Sequence, residues 1–243
     1  MTPMDPDLTT YLSQFVTPRR LRRMEQVLGE RTRYLTVVLE DIYQPHNASA
    51  VLRSCDSCGV QDVHIIEKRN SYRVNPGVEL GTAQWLTLRR YRLDQAAPKA
   101  GATVTTPDPV RAALTDLRAR GYRIVATTPH TEDVELGSFD LNRGKVALCF
   151  GTEMEGLSEE LLTEADEYVR IPMYGFVESF NISVSAAIIL YTLTQRLRAH
   201  EEPPWRLSDA ERAEILLTWL RRSVKESERL EARFRERRAG SGE

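Results

Sequence analysis

A chain of 243 residues with 41% apolar content has enough material for one substantial core plus terminal extensions. It contains no run of about 18 or more uncharged apolar residues that could cross a bilayer. Its start, MTPMDPDLTT, lacks the basic head and apolar middle of a secretory signal, so the expected location is the cytoplasm. The formal net charge of −2 argues against a generic polyanion binder, but the charges are unevenly spread.

Residues 1–34 are expected to form a basic, helical N-terminal extension. Within it, residues 19–33 carry Arg19, Arg20, Arg22, Arg23, Arg31 and Arg33 against Glu25 and Glu30. Near the other end, residues 221–238 hold eight Arg or Lys against four Glu. Basic ends on a neutral body fit a nucleic-acid footprint. The alternative is a pair of solvated helices in a chain that favours Arg.

Between these ends, residues 35–198 alternate short apolar runs with helical patterns, which predicts an α/β domain with a parallel sheet and flanking helices. Expected strands are Leu35–Glu40, Val63–Glu67, Leu86–Tyr91, Arg123–Thr127, Val146–Phe150 and Tyr168–Ile171. The helix after the first strand is expected to start at Asn47 as N-cap, to bury Val51, Leu52, Cys55 and Cys58, and to end at Gly59. Cys55-Asp-Ser-Cys58 has the spacing of a redox or zinc pair. No second Cys or His pair stands at a matching distance, and both thiols fall on the apolar stripe as small core residues. No metal is expected. Leu93–Pro109, rich in Ala, Thr and Pro, is expected as a long loop.

Val110–Arg120 has helical periodicity and is closed by Gly121. Ser158 can cap a further helix, with Glu159 and Glu160 in the first turn where the helix dipole favours them. Ile182, Ala186, Ile189, Leu190, Leu193 and Leu197 form one continuous helical face. Pro203-Pro204 breaks that pattern, and Ser208 with Glu211 restarts it as a capping box. Residues 199–243 are therefore expected as a C-terminal helical extension, with Ile215, Leu216, Trp219 and Leu220 as its early apolar face.

Three polar loops stand where strands pass into helices, the edge at which parallel sheets bind ligands. They are Pro45–Arg53, Phe150–Gly156 and Ile171–Ser183. Taken singly, Asn47, Ser179 and Asn181 could be helix caps and the glycines turn formers. No G-x-G-x-x-G follows the first strand, so a Rossmann-type nucleotide site is not expected.

Taken in order, the loops resemble the SpoU (TrmH-like) branch of the SPOUT RNA methyltransferases. The resemblance is carried by Asn47…Arg53, by Phe150-Gly-Thr-Glu-Met-Glu-Gly-Leu-Ser158, and by Ile171-Pro-Met-Tyr-Gly-Phe-Val-Glu-Ser-Phe-Asn-Ile-Ser-Val184, and it runs from about Leu35 to Leu197. Within the branch, the basic N-terminal helix, His46 before Asn47 and the Trp219-Leu220 region look like the TrmH group, which methylates the ribose of guanosine 18 in the tRNA D-loop. Phe180 and Ile182 stand for the usual Leu and Val, and Glu155 stands where relatives often have Trp or Thr.

The resemblance implies an S-adenosylmethionine-dependent RNA ribose 2′-O-methyltransferase, a homodimer with a C-terminal trefoil knot. It implies donor binding by Thr127, Gly151, Ile171, Met173 and Phe180. It implies catalytic roles for Arg53, Asn47, Glu153, Ser179 and Asn181, and RNA contacts by Arg19, Arg20, Arg22, Arg23 and His46. An arginine is an awkward base because its pKa lies above about 12. Phosphate clamping through its planar fork is the second job open to Arg53. Ribosomal RNA methyltransferases share these motifs and remain an alternative, as does a catalytically silent RNA-binding knot protein. A nucleotide-binding regulatory domain lacks a phosphate loop here.

Overall fold

The computed structural model describes residues 6–72, 75–92, 108–129, 133–153, 155–199 and 202–240. Helices α1 (Pro6–Ser13) and α2 (Pro18–Gly29) lead into β1 (Leu35–Glu40), α3 (Pro45–Cys58) and β2 (Asp62–Glu67). Then come α4 (Pro76–Glu79), β3 (Thr87–Arg92), α5 (Pro109–Ala119), β4 (Arg123–Thr127) and β5 (Val134–Glu135). The chain continues through β6 (Val146–Phe150), α6 (Glu159–Glu164), β7 (Glu167–Arg170) and α7 (Ile182–Arg198), and closes with α8 (Asp209–Ser223) and α9 (Ser227–Gly240). Among the described residues, no helix is long and apolar enough to cross a membrane.

These elements form two compact units, residues 32–205 and the paired terminal segments 1–31 with 206–243. In the larger unit seven strands make one sheet in the order β3-β2-β1-β6-β4-β7-β5, with every pairing parallel. The expected strands recur with shifts of a residue or so at their ends. The two-residue β5 was not expected; so short a segment leaves no periodicity to read. The expected loop Leu93–Pro109 lies outside the described residues up to position 107, after which Asp108 caps α5.

Alternation along the strands divides the core into two layers. Val37, Leu39, Val125, Leu148 and Phe150 point to the face covered by α3 and α7. Val38, Ile124, Ala126, Ala147 and Cys149 point to the face packed with α5 and α6 residues such as Leu117 and Leu161. Full burial makes β6 an unbroken apolar run, whereas β1 and β2 also bury Thr36, Glu40, Asp62, His64 and Glu67. All six stripe positions of α7 are buried. Helix α3 ends as expected on Gly59 at φ +77°, but its start differs. It begins at Pro45, Gln44 is the N-cap residue, and Asn47 sits inside the first turn. A proline at the first helical position supplies the required φ without needing a donor, so Asn47 is released for other contacts.

A polar chain runs from the buried His64 through the half-buried Tyr91 and Asp116. Tyr91 Oη donates to Asp116 at 2.7 Å, and His64 Nδ1 lies 2.8 Å from the same phenol oxygen. With the phenol proton committed to Asp116, the neutral imidazole supplies the other. Burial, reinforced by the positive charge of Arg89, lowers the His64 pKa from 6.5 to about 4. The unfolded chain therefore binds the extra proton below pH 6.5, and stability is lost as the pH falls from about 6.5 towards 4. Urea melts at pH 7 and pH 4.5 should differ by up to about 3 kcal/mol from this group. His64→Gln should remove most of that difference.

In the terminal unit, α8 packs on α1, α2 and α9. Its capping box at Ser208 and Glu211 forms as expected, whereas Leu217 is buried with Ile215, Trp219 and Leu220, and Leu216 is only half-buried. The Arg31 guanidinium stacks over Trp219 at 5.6 Å. Much of the C-terminal charge is spent internally. Glu231 is buried and receives Arg221 through two hydrogen bonds of 2.7 and 3.0 Å, and Arg235 at 3.2 Å.

Candidate active site

The carboxyl ends of β4, β6 and β7 open into a cleft of about 540 Å³. Its position follows from topology: β6 inserts between β1 and β4, and the loops after these strands must splay around it. Thr127, the last residue of β4, is half-buried at the cleft and donates from Oγ1 to the Cys149 carbonyl at 2.8 Å.

Gly151 opens the loop that follows β6. Thr152 and Gly156 exchange backbone hydrogen bonds of 2.9 and 3.0 Å, and Thr152 Oγ1 accepts from the Glu155 N–H at 3.0 Å. The loop folds back so tightly that a Cβ on Gly151 would lie 2.1 Å from the Gly156 carbonyl. Gly156 itself is at φ +71°, where a side chain is strained. Beyond the loop, Ser158 donates from N and Oγ to the buried Glu40 carboxylate at 2.8 and 2.5 Å. Sequence reasoning missed Glu40 as a support; an acidic residue closing an apolar strand was the available signal.

The segment after β7 supplies the opposite wall. Ile171 and Met173 are half-buried in it, and Ser179, Phe180 and Asn181 line it from the approach to α7. Asn181 is the N-cap of α7, its Oδ1 accepting from the Ser183 N–H at 2.9 Å. Its amide nitrogen faces the other way, donating to Glu153 Oε1 and approaching Asn47 Oδ1 at 3.4 Å. Asn47 is buried and donates in turn to Gln44 Oε1 at 3.1 Å. One side chain thus starts a helix and ties together residues from all three motifs.

Thr127, Gly151, Ile171, Met173, Phe180, Glu153, Ser179 and Asn181 therefore share one cleft, with Asn47 reached through Asn181. Arg53 does not line it. Six helical residues turn through about 600°, so Arg53 faces well away from Asn47. It lies exposed on a groove between α3 and α7 with Ala50, Ser54, Ala187 and Tyr191, and donates to the Val78 carbonyl at 3.3 Å. His46 is exposed beside Asn47. Arg19, Arg20, Arg22 and Arg23 belong to the terminal unit, exposed on α2, where Arg20 donates to Ser223 Oγ at 3.3 Å. Cys55 and Cys149 are buried, Cys58 partly so. Burial raises the thiol pKa of Cys58 and Cys149, which keeps both protonated and unreactive.

A parallel sheet whose strand ends gather three polar loops on one cleft defines a ligand-binding α/β protein, and comparison with known proteins gives the class. Residues 34–191 match the model of the SpoU rRNA Methylase family. A tRNA (guanosine(18)-2′-O)-methyltransferase of Borreliella burgdorferi is 42% identical over 214 residues, spanning 88% of this chain and 90% of that one. The crystal structure of the A. aeolicus TrmH/SpoU tRNA modifying enzyme superposes with a TM-score of 0.71 at 28% identity, over 86% of this chain and 98% of that one. The fold also matches the SpoU methyltransferase AviRb from Streptomyces viridochromogenes in complex with AdoMet. There the TM-score is 0.56 and the identity 24%, covering 70% of this chain and 63% of that one. The chain belongs to the SpoU methylase family.

Proposed function

We propose that this protein transfers a methyl group from S-adenosylmethionine to the ribose 2′-hydroxyl of a guanosine in tRNA, the reaction named for its Borreliella relative. The observation that carries this is the convergence of the three motifs on one cleft, with Asn181 joined to both Asn47 and Glu153. The residues present fit the donor. Ile171, Met173, Leu157 and Leu162 offer an apolar slot for adenine. Glu153 and Glu178 line the same cleft and favour a cationic sulfonium. When bound, the donor supplies an electrophilic methyl carbon, and no metal is needed for the displacement.

The chain's part is alignment and proton handling. Asn181, held at the start of a 17-residue helix, is a fixed amide beside the cleft. Glu153 is assigned to hold that amide rather than to act as the base. Arg53 is assigned to clamp a backbone phosphate and to assist removal of the hydroxyl proton. Since it faces away from its own cleft, it would serve the cleft of a second copy in a homodimer. Exposed Tyr174, Phe176, Val177, Phe180, Val184 and Tyr191 support such an apolar interface. The insertion of β6 between β1 and β4, with residues 171–181 returning beside the 151–157 loop, supports a knotted path through the C-terminal half.

Residues 35–198 would then be the methyl-transfer body, with 1–34 and 199–243 as helical extensions that contact RNA. Substituting Arg19, Arg22 and Arg23 together by Ala is expected to weaken tRNA binding and to flatten its dependence on log salt by roughly two to three slope units. Binding isotherms at several salt concentrations measure this. The function is tested by incubating the protein with labelled donor and either tRNA or rRNA, and mapping the modified nucleotide by mass spectrometry. Label in rRNA alone would move the assignment to the ribosomal substrates, and absence of donor binding would sink it.

A further inference from the structure

A smaller cavity of about 210 Å³ adjoins the donor cleft. Thr152, Glu153, Glu155 and Ile182 line both, so these four residues are their shared wall. The remaining walls include Tyr43 and Gln44 before α3, and Arg69 and Asn70 after β2. The floor is tightly built. Asp41, at φ +53°, accepts from the backbone N–H groups of Lys68, Arg69 and Asn70 at 3.0, 2.8 and 2.8 Å. The Asn70 amide donates to the Asp41 carbonyl at 3.1 Å and to its carboxylate at 3.2 Å. Over this floor the Arg69 guanidinium meets Glu155 through hydrogen bonds of 2.8 and 3.4 Å. Both side chains are more than half exposed, and such a pair contributes only about 0–1 kcal/mol. A ligand that satisfies both charges can therefore replace it at little cost.

We propose that this cavity takes the base of the acceptor nucleotide and selects guanine. Guanine carries adjacent N1–H and N2–H₂ donors on one edge and the O6 and N7 acceptors on another. Glu155 accepts from the first edge and the Arg69 fork donates to the second, the two exchanging each other for the base while Arg69 keeps its 3.9 Å contact with the Asp41 carboxylate. The Tyr43 ring, 75% exposed, supplies a stacking face. Adenine presents an acceptor at N1 and a donor at N6, the wrong group to each charge. The cavity adjoins Asn47 and Glu153, which places the attached ribose towards the wall shared with the donor cleft. This assignment rests on the methyl-transfer reading of that cleft and adds the residues that choose the base.

The test uses the full chain with tRNA transcripts carrying guanosine, inosine or adenosine at the acceptor position. Wild-type kcat/KM should favour guanosine over inosine by about 10-fold and over adenosine by about 100-fold. Glu155→Gln should bring the guanosine-to-inosine ratio close to 1. Arg69→Ala should slow guanosine and inosine alike by about 10-fold or more and narrow their margin over adenosine, with donor affinity by calorimetry unchanged. Both ratios surviving in both variants would overturn the subsite alone. A wild-type protein that transfers methyl to none of the three transcripts would overturn the methyl-transfer reading and the subsite with it.

Discussion

Replacing Gly151 by Ala is expected to weaken donor binding by at least about 100-fold and to lower stability by about 1–3 kcal/mol. The added Cβ would lie 2.1 Å from both the carbonyl carbon and oxygen of Gly156, and 2.3 Å from the Leu157 nitrogen. These are backbone atoms, so no rotamer change relieves the overlap. The loop must open, breaking the paired hydrogen bonds between Thr152 and Gly156 that set the shape of one cleft wall. Calorimetry with S-adenosylmethionine and a urea melt measure the two effects separately. Affinity within threefold of wild type would show that this loop does not shape the donor site.

Arg53→Lys is expected to lower turnover by about 100-fold while leaving donor affinity unchanged, because an ammonium keeps the charge but not the two-pronged hydrogen bonding. Single-turnover methyl transfer and RNA binding should be measured on the same preparation. A fall in RNA affinity that matches the fall in rate would assign Arg53 to phosphate clamping; a fall in rate alone would assign it to the proton. Turnover close to wild type would remove it from both roles. Mixing Arg53→Lys with Gly151→Ala distinguishes where the arginine acts. If it serves the cleft of a second copy, mixed dimers hold one cleft with both parts intact, and activity partly returns. No recovery would place Arg53 at its own chain's cleft, against its outward position on α3.

The strands were legible because burial on both faces favours apolar side chains, unbroken at Val146–Phe150 and interrupted only by Thr36 in Leu35–Leu39. The stripe of α7 was legible because one helical face meets the sheet, and Gly59 was legible because only a few residues accept its left-handed backbone. Asn47 misled as a cap because composition alone does not distinguish a residue that starts a helix from one just inside it. Pro45, two positions earlier, was the better signal. The C-terminal charges were also easy to over-read. A string of Arg and Glu looks solvated until the fold shows Glu231 buried between Arg221 and Arg235.

The chemistry of the three loops was written locally, in residue types and spacings that need no tertiary knowledge, so the α/β class, the family and the reaction those motifs imply were all legible in residue order. Which side chains meet is a property of the folded chain alone. Asn47 and Asn181 are 134 positions apart, Glu40 and Ser158 are 118, and Arg69 and Glu155 are 86. Hydrogen bonds and ion pairs act over a few ångströms and leave no periodic trace in a sequence. Only the strand order, which brings β6 beside β1, puts these distant residues within reach of one another.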